Sequence, residues 1–138
     1  MKIQRVEKTP VTTEELNEYK KRTSNIKDVI FNALDVGMDK RIVTLRFGGE
    51  YDELTLVNPT VTEVSDDVVV YFEKDSYKNK TRKTLRHSSF KVDTDNLGLV
   101  EFSADKKEWK DRDEFFNDLG LFECVMAQRV IDSIDGID

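Results

Sequence analysis

Residues 119–134 constrain this chain more than any other stretch. Leu121, Phe122, Cys124, Val125, Met126, Ala127, Val130, Ile131 and Ile134 fall at helical spacing and wrap most of the circumference of one helix. A helix that is apolar on one face can lie on a surface, but one that is apolar nearly all round has to be enclosed, here by sheets. Arg129 interrupts the apolar surface. An unpaired interior charge is costly, so this guanidinium needs a carboxylate or a route to water, with Asp75 the first expected partner and Asp35 the second.

Material for the enclosing sheets lies upstream. From Arg41 the hydrophobic period changes from helical to extended: 42–47, 54–57, 61–64, 68–72, 90–94 and 99–102 are short runs rich in branched and aromatic residues. Gly48-Gly49, Ser65-Asp66-Asp67 and Asp95-Asn96-Leu97-Gly98 separate them as turns, and such short connections favour antiparallel neighbours. Before the strands, Thr12 and Glu15 form a capping box with Val11 and Leu16 as its hydrophobic staple, which predicts a helix over 12–22. Ile26, Val29, Ile30, Ala33 and Leu34 repeat at i, i+3, i+4, i+7 and i+8, which predicts a second, core-covering helix over 25–34. The expected class is α+β, short antiparallel strands packed around a buried C-terminal helix. One domain is expected over 1–138, with a helical arm over 1–24 and an insertion over 105–117. That insertion, with Trp109, Phe115 and Phe116, reads as a loop lidding the core or as a docking surface.

Composition removes several classes of function. A formal net charge of -6 argues against a nucleic-acid-binding domain. The basic stretch Lys74, Lys78, Lys80, Arg82, Lys83 and Arg86, with Tyr77 interleaved, reads as a charged loop or a lysine-guarded edge strand before it reads as a nucleic-acid contact. No apolar run approaches the ~20 residues of a membrane span, and the first residues lack the apolar centre of a signal peptide. A cytoplasmic protein with no membrane partner is expected. The lone Cys124 reads as a small core residue. His87 is the one histidine, so a site needing two imidazole ligands cannot be built within one chain; it reads as a solvated or hydrogen-bonded residue.

Four motifs occur in an order that carries further. Gln128, Asp132, Ile134, Asp135 and Gly136 make the frame Q-x-x-x-D-x-I-D-G on the last helix; Val57-Asn58-Pro59 ends a strand; Arg86-His87-Ser88-Ser89-Phe90-Lys91-Val92 reads R-x-x-x-F-x-V; and Ala33 to Gly37 runs into Lys40-Arg41-Ile42. Over about residues 25–136 this order resembles the peptide deformylases, whose third motif is Q-H-E-x-D-H-L-x-G and whose strand turn is I-N-P. In that family two histidines one helical turn apart and the cysteine of E-G-C-L-S hold a metal, and the motif glutamate is the general acid and base.

On this chain the resemblance puts Arg129 and Ser133 in the histidine slots, Val130 in the glutamate slot, Asp75 in the cysteine slot and Asp35 in the slot of the carbonyl-polarising glutamine. Glu73 matches the glutamate of E-G-C-L-S, and with Arg86 it is expected to form a structural pair. Arginine, valine and serine are poor or impossible ligands for a divalent transition metal, and a carboxylate at position 35 opposes an oxyanion. The resemblance therefore implies a deformylase fold without deformylase chemistry, metal or other cofactor. Short deformylases occur in bacteriophage genomes, so a phage-encoded protein of the host cytoplasm or the virion is expected, without the C-terminal extension of some members. The function expected is a binding module for a protein or an extended, preferably acidic peptide, or a structural or assembly component, with Val68, Val70 and Phe72 on one strand and Trp109 and Phe116 in the insertion as its candidate surfaces. A hydrolase with a site of carboxylates, drawn from Asp35, Glu73, Asp75 and Asp132, and a regulator of a genuine deformylase stand as alternatives.

Overall fold

The computed structural model describes residues 5–46, 53–74, 81–103 and 119–136, with the side chains of 69–74, 81–85 and 119–123 left aside. The first helix, α1, is Thr13–Thr23, and its capping box is the expected one: the Glu15 amide donates to Thr12 Oγ1 at 3.1 Å and the Thr12 amide to Glu15 Oε1 at 3.0 Å. Val11 and Leu16 both pack against the core cluster formed by Tyr19, Phe31, Ala33 and Ile42. Tyr19, 1% exposed, is the anchor of an otherwise polar helix, and its hydroxyl lies 2.7 Å from Thr44 Oγ1.

The predicted helix over 25–34 is not formed. Ile30–Asn32 is a strand, β1, and Ala33–Val36 is a short 3₁₀ turn. Two local features outcompete the helical spacing. Asn32 caps the turn reciprocally with Asp35, and Gly37 stops it at φ 77°, the left-handed region that favours glycine. Ile30 and Phe31, which suit a half-buried pleated surface, then pair with the next strand.

The remaining strands are β2 (Ile42–Arg46), β3 (Glu53–Val57), β4 (Thr60–Val64), β5 (Val68–Lys74), β6 (Thr81–His87), β7 (Ser89–Thr94) and β8 (Gly98–Ser103). They form antiparallel sheets in the orders β1-β2-β3, β4-β7-β8 and β5-β6. Strand β6 lies in the segment read from sequence as basic. Its register with β5 makes β4–β5 and β6–β7 one long ribbon, bent where the Ser65 amide donates to Ser89 O and the Ser88 amide to Asp67 O.

The last helix, α2, is Leu119–Ile134, with the predicted bounds. Cys124, Val125, Ala127, Val130, Ile131 and Ile134 share one buried cluster with Val43, Leu45 and Leu56 of the first sheet and with Phe90, Val92 and Phe102 of the second. The helix is thus enclosed by sheets, as its circumference requires. At about 1.5–3 kcal/mol for each large apolar side chain withdrawn from water, this cluster is the main source of stability. Strand β2 is buried on both faces because Val43 and Leu45 meet α2 while Ile42 meets the α1 side. No helix among the described residues is long and apolar enough to cross a membrane.

Candidate functional site

Helix α2 presents two polar faces to its surroundings. On one, Arg129 and Ser133 are a helical turn apart, with Val130 between them. Val130 is 1% exposed and belongs to the main core cluster. Ser133 Oγ donates to Val130 O at 2.6 Å and accepts from Asn32 Nδ2 at 2.9 Å. Asn32 is held in turn by the 3₁₀ turn, whose Asp35 amide donates to Asn32 Oδ1 at 3.2 Å while Asp35 Oδ2 accepts from the Asn32 amide at 2.8 Å. The structure therefore brings Asp35, through Asn32, to Ser133. Arg129 is half-buried. Asp75, its first expected partner, lies outside the described residues, as do Trp109 and Phe116.

This face does not suit a divalent transition metal. It supplies no imidazole, thiolate or free carboxylate at Arg129, Val130 or Ser133, and the serine hydroxyl is already committed to two neighbours. Among the described residues no three His, Cys, Asp or Glu side chains converge to hold a metal ion.

The other face carries Gln128, Ile131, Asp132 and Asp135. Gln128 clamps the ribbon at its bend: its Oε1 accepts from the His87 amide at 2.9 Å and its Nε2 donates to His87 O at 2.8 Å. His87 Nδ1 lies 2.8 Å from Ser65 O, so the lone histidine ties the two sides of the bend together. Arg86 donates through Nη1 to Asp132 Oδ2. The register puts Arg86 opposite Val69 and Glu73 opposite Arg82, and the side chain of Glu73, the expected partner of Arg86, lies outside those described. Asp135 accepts from Arg41 Nη1 at 2.5 Å. Sequence reading noted Arg41 only within Lys40-Arg41-Ile42, yet its guanidinium is buried and also donates from Nε to Pro59 O at 2.8 Å and from Nη1 to Val6 O at 3.2 Å.

Between this face and the ribbon lies a cleft of about 420 Å³. Val61, Val64, Val68, Phe90 and Ile131 form its apolar wall, and Arg86, His87, Gln128, Asp132 and Asp135 its polar one. Its volume is that of a small ligand site. Val68, singled out from sequence, lines it; Val70 and Phe72 continue along β5. Sequence reasoning had no signal for the cleft itself, since Val61 and Val64, three residues apart, do not share a face of a regular strand. A bulge between Val61 and Glu63 restores them to one face. Cys124 sits beneath the bend, its Sγ 3.6 Å from His87 O and Ser88 O, and burial pushes its thiol up to about 11, which keeps it protonated near neutral pH.

No protein-family model matches the chain, and no curated protein is similar to it in sequence. Solved structures do match. One is a probable peptide deformylase from Synechococcus phage S-SSM7, at TM-score 0.69 and 21% identity over 97% of this chain and 87% of that one. Another is peptide deformylase 1B of Arabidopsis thaliana, at TM-score 0.69 and 18% identity over 99% of this chain and 71% of that one. A third is the peptide deformylase of Thermotoga maritima, at TM-score 0.66 and 16% identity over 97% of this chain and 84% of that one. The chain has the peptide deformylase fold.

Proposed function

We propose that this protein is a single-domain, catalytically inactive relative of the peptide deformylases that binds an extended segment of a protein partner. The observation that carries the first half is the packing around α2: Val130, in the slot that the motif resemblance gives to the acid-base glutamate, is core, and the Ser133 hydroxyl, in a ligand slot, is spent on Asn32 and Val130 O. General acid–base work needs a titratable group within reach of the reacting atoms, and valine offers none. Replacing the metal-binding groups by packing groups keeps the fold and discards the reaction.

For binding, the support is the shape of the ribbon. Among the described residues β4 and β5 have no strand on their outer edges. Free edges accept an extended chain through main-chain hydrogen bonds, which do not depend on a metal. Val68 to Phe72 is the proposed line of contact, with the cleft at its start. Two measurements on the purified protein test this reading. Elemental analysis after dialysis is expected to find no stoichiometric zinc, iron or nickel, and a formyl-methionyl peptide is expected to remain formylated; one transition metal per chain together with turnover would refute it.

A further inference from the structure

On the core-facing side of β4 the described residues leave the valines above the cleft exposed. Val61 pairs with Val92 and Val64 with Phe90, and residues directly opposite in a ladder share a face. Val92 and Phe90 are buried, at 0% and 2% exposed, whereas Val61 and Val64 are 41% and 50% exposed on that same face, and Val68 beyond the bend is 46% exposed. The bulge at Thr62 is what keeps both valines turned inward. Edge strands are ordinarily blunted with lysine or proline; this one offers valines above a cleft.

The opposite face of the same sheet says what charge the covering strand carries. Glu63 lies across from Lys91, and Lys91 across from Glu101, so successive strands alternate in sign, and Lys91 Nζ is 3.1 Å from Glu63 Oε2. A strand added outside β4 continues this row when it places a cation opposite Glu63, which is 67% exposed. Exposed Asp66 in the neighbouring bend adds negative charge. We infer that β4 is the docking edge for a partner segment of the pattern apolar–basic–apolar, whose basic residue meets Glu63 and whose flanking side chains enter the cleft beside Val61 and Val64. This rests on the binding reading above, moves its line of contact from β5 to the β4 end of the same ribbon edge, and names its ligand. A second copy of the chain is the poorer occupant: its own β4, Thr-Val-Thr-Glu-Val, has no cation, and two chains of net charge -6 repel.

The test uses the full chain and synthetic peptides of about ten residues built around Val-Lys-Val or Val-Glu-Val, a length that spans an ordinary strand. The Val-Lys-Val peptide is expected to bind about tenfold or more tightly than its counterpart, with hydrogen exchange slowed in β4. The double variant Glu63→Lys with Lys91→Glu, which keeps the 63–91 pair and sets position 91 against Glu101, is expected to invert that preference. Equal binding of the two peptides, an unaltered preference in the double variant, or no binding up to about 1 mM overturns the inference. Protection confined to β5 overturns it while leaving the wider binding reading in place. A dimer in sedimentation with β4 already protected gives the edge to a second copy and overturns it as well.

Discussion

Arg41, with 1% of its surface exposed, is held by three acceptors that converge on it: Pro59 O, Val6 O and the Asp135 carboxylate. Asp135 follows the last turn of α2, Pro59 opens the way into β4, and Val6 belongs to the N-terminal segment, whose amide donates to Ile134 O at 3.0 Å. One side chain thus joins three parts of the chain that are far apart in sequence. Arg41→Met is expected to lower stability by about 3 kcal/mol, since it leaves two carbonyls unpaired and leaves the Asp135 carboxylate with only the more exposed Arg5 at 3.4 Å, and adding Asp135→Leu should recover part of that loss. Chemical denaturation of the two variants checks both numbers. Alkaline pH offers a separate prediction. Burial raises the Cys124 thiol to about 11 and raises the Tyr19 phenol above its usual value, so both groups release their protons more easily from the unfolded chain. Such groups stabilise the fold fully below their unfolded pKa. Stability should therefore be level near neutrality and fall by about 1.4 kcal/mol per pH unit as pH rises through about 9–11 on account of Cys124, with Tyr19 adding a similar slope only above about 10. Urea titrations at stepped pH, with Cys124→Ala as the control, give the slope.

At the scale of elements, the contact between α2 and the bent ribbon depends on Gln128. Its amide satisfies both main-chain groups of His87 at once. Gln128→Leu keeps the volume but leaves a donor and an acceptor unpaired; a loss of about 2 kcal/mol is expected, with faster amide exchange at His87. An unchanged exchange rate there would place the clamp elsewhere. The elements also show where the sequence was readable. Helix α2 was plain because an all-round apolar stretch has few alternatives, and α1 because its capping box is a local signal. Strand β6 was hidden: Thr81-Arg82-Lys83-Thr84-Leu85-Arg86-His87 has one apolar residue, so its pairing with β5 comes from the hairpin and not from alternation. Residues 25–34 misled because five apolar positions matched a helical period by chance, while the Asn32–Asp35 cap and Gly37, which decide the local backbone, carry no periodicity. The cleft was invisible for the reason that Arg41 was: each depends on residues meeting across more than thirty positions.

As a whole molecule, the chain has the peptide deformylase fold, and the proposal is that it does so without the reaction. The enclosure of α2 by β1-β2-β3 on one side and β4-β7-β8 on the other uses apolar residues on several sides of the helix, and it tolerates a change of chemistry at the few polar positions between them. Of the candidate site, Asp35, Val130 and Ser133 were singled out by the motif order and spacing; that they cap a turn, fill the core and bridge to Asn32 needed the three-dimensional structure. The central claim is that this deformylase fold carries no deformylase reaction. Its most direct test is formate release from a formyl-methionyl peptide by the purified full-length protein supplied with ferrous, nickel or zinc ion: release no faster than in buffer with the same ion is predicted, and protein-dependent, metal-dependent turnover would contradict the account.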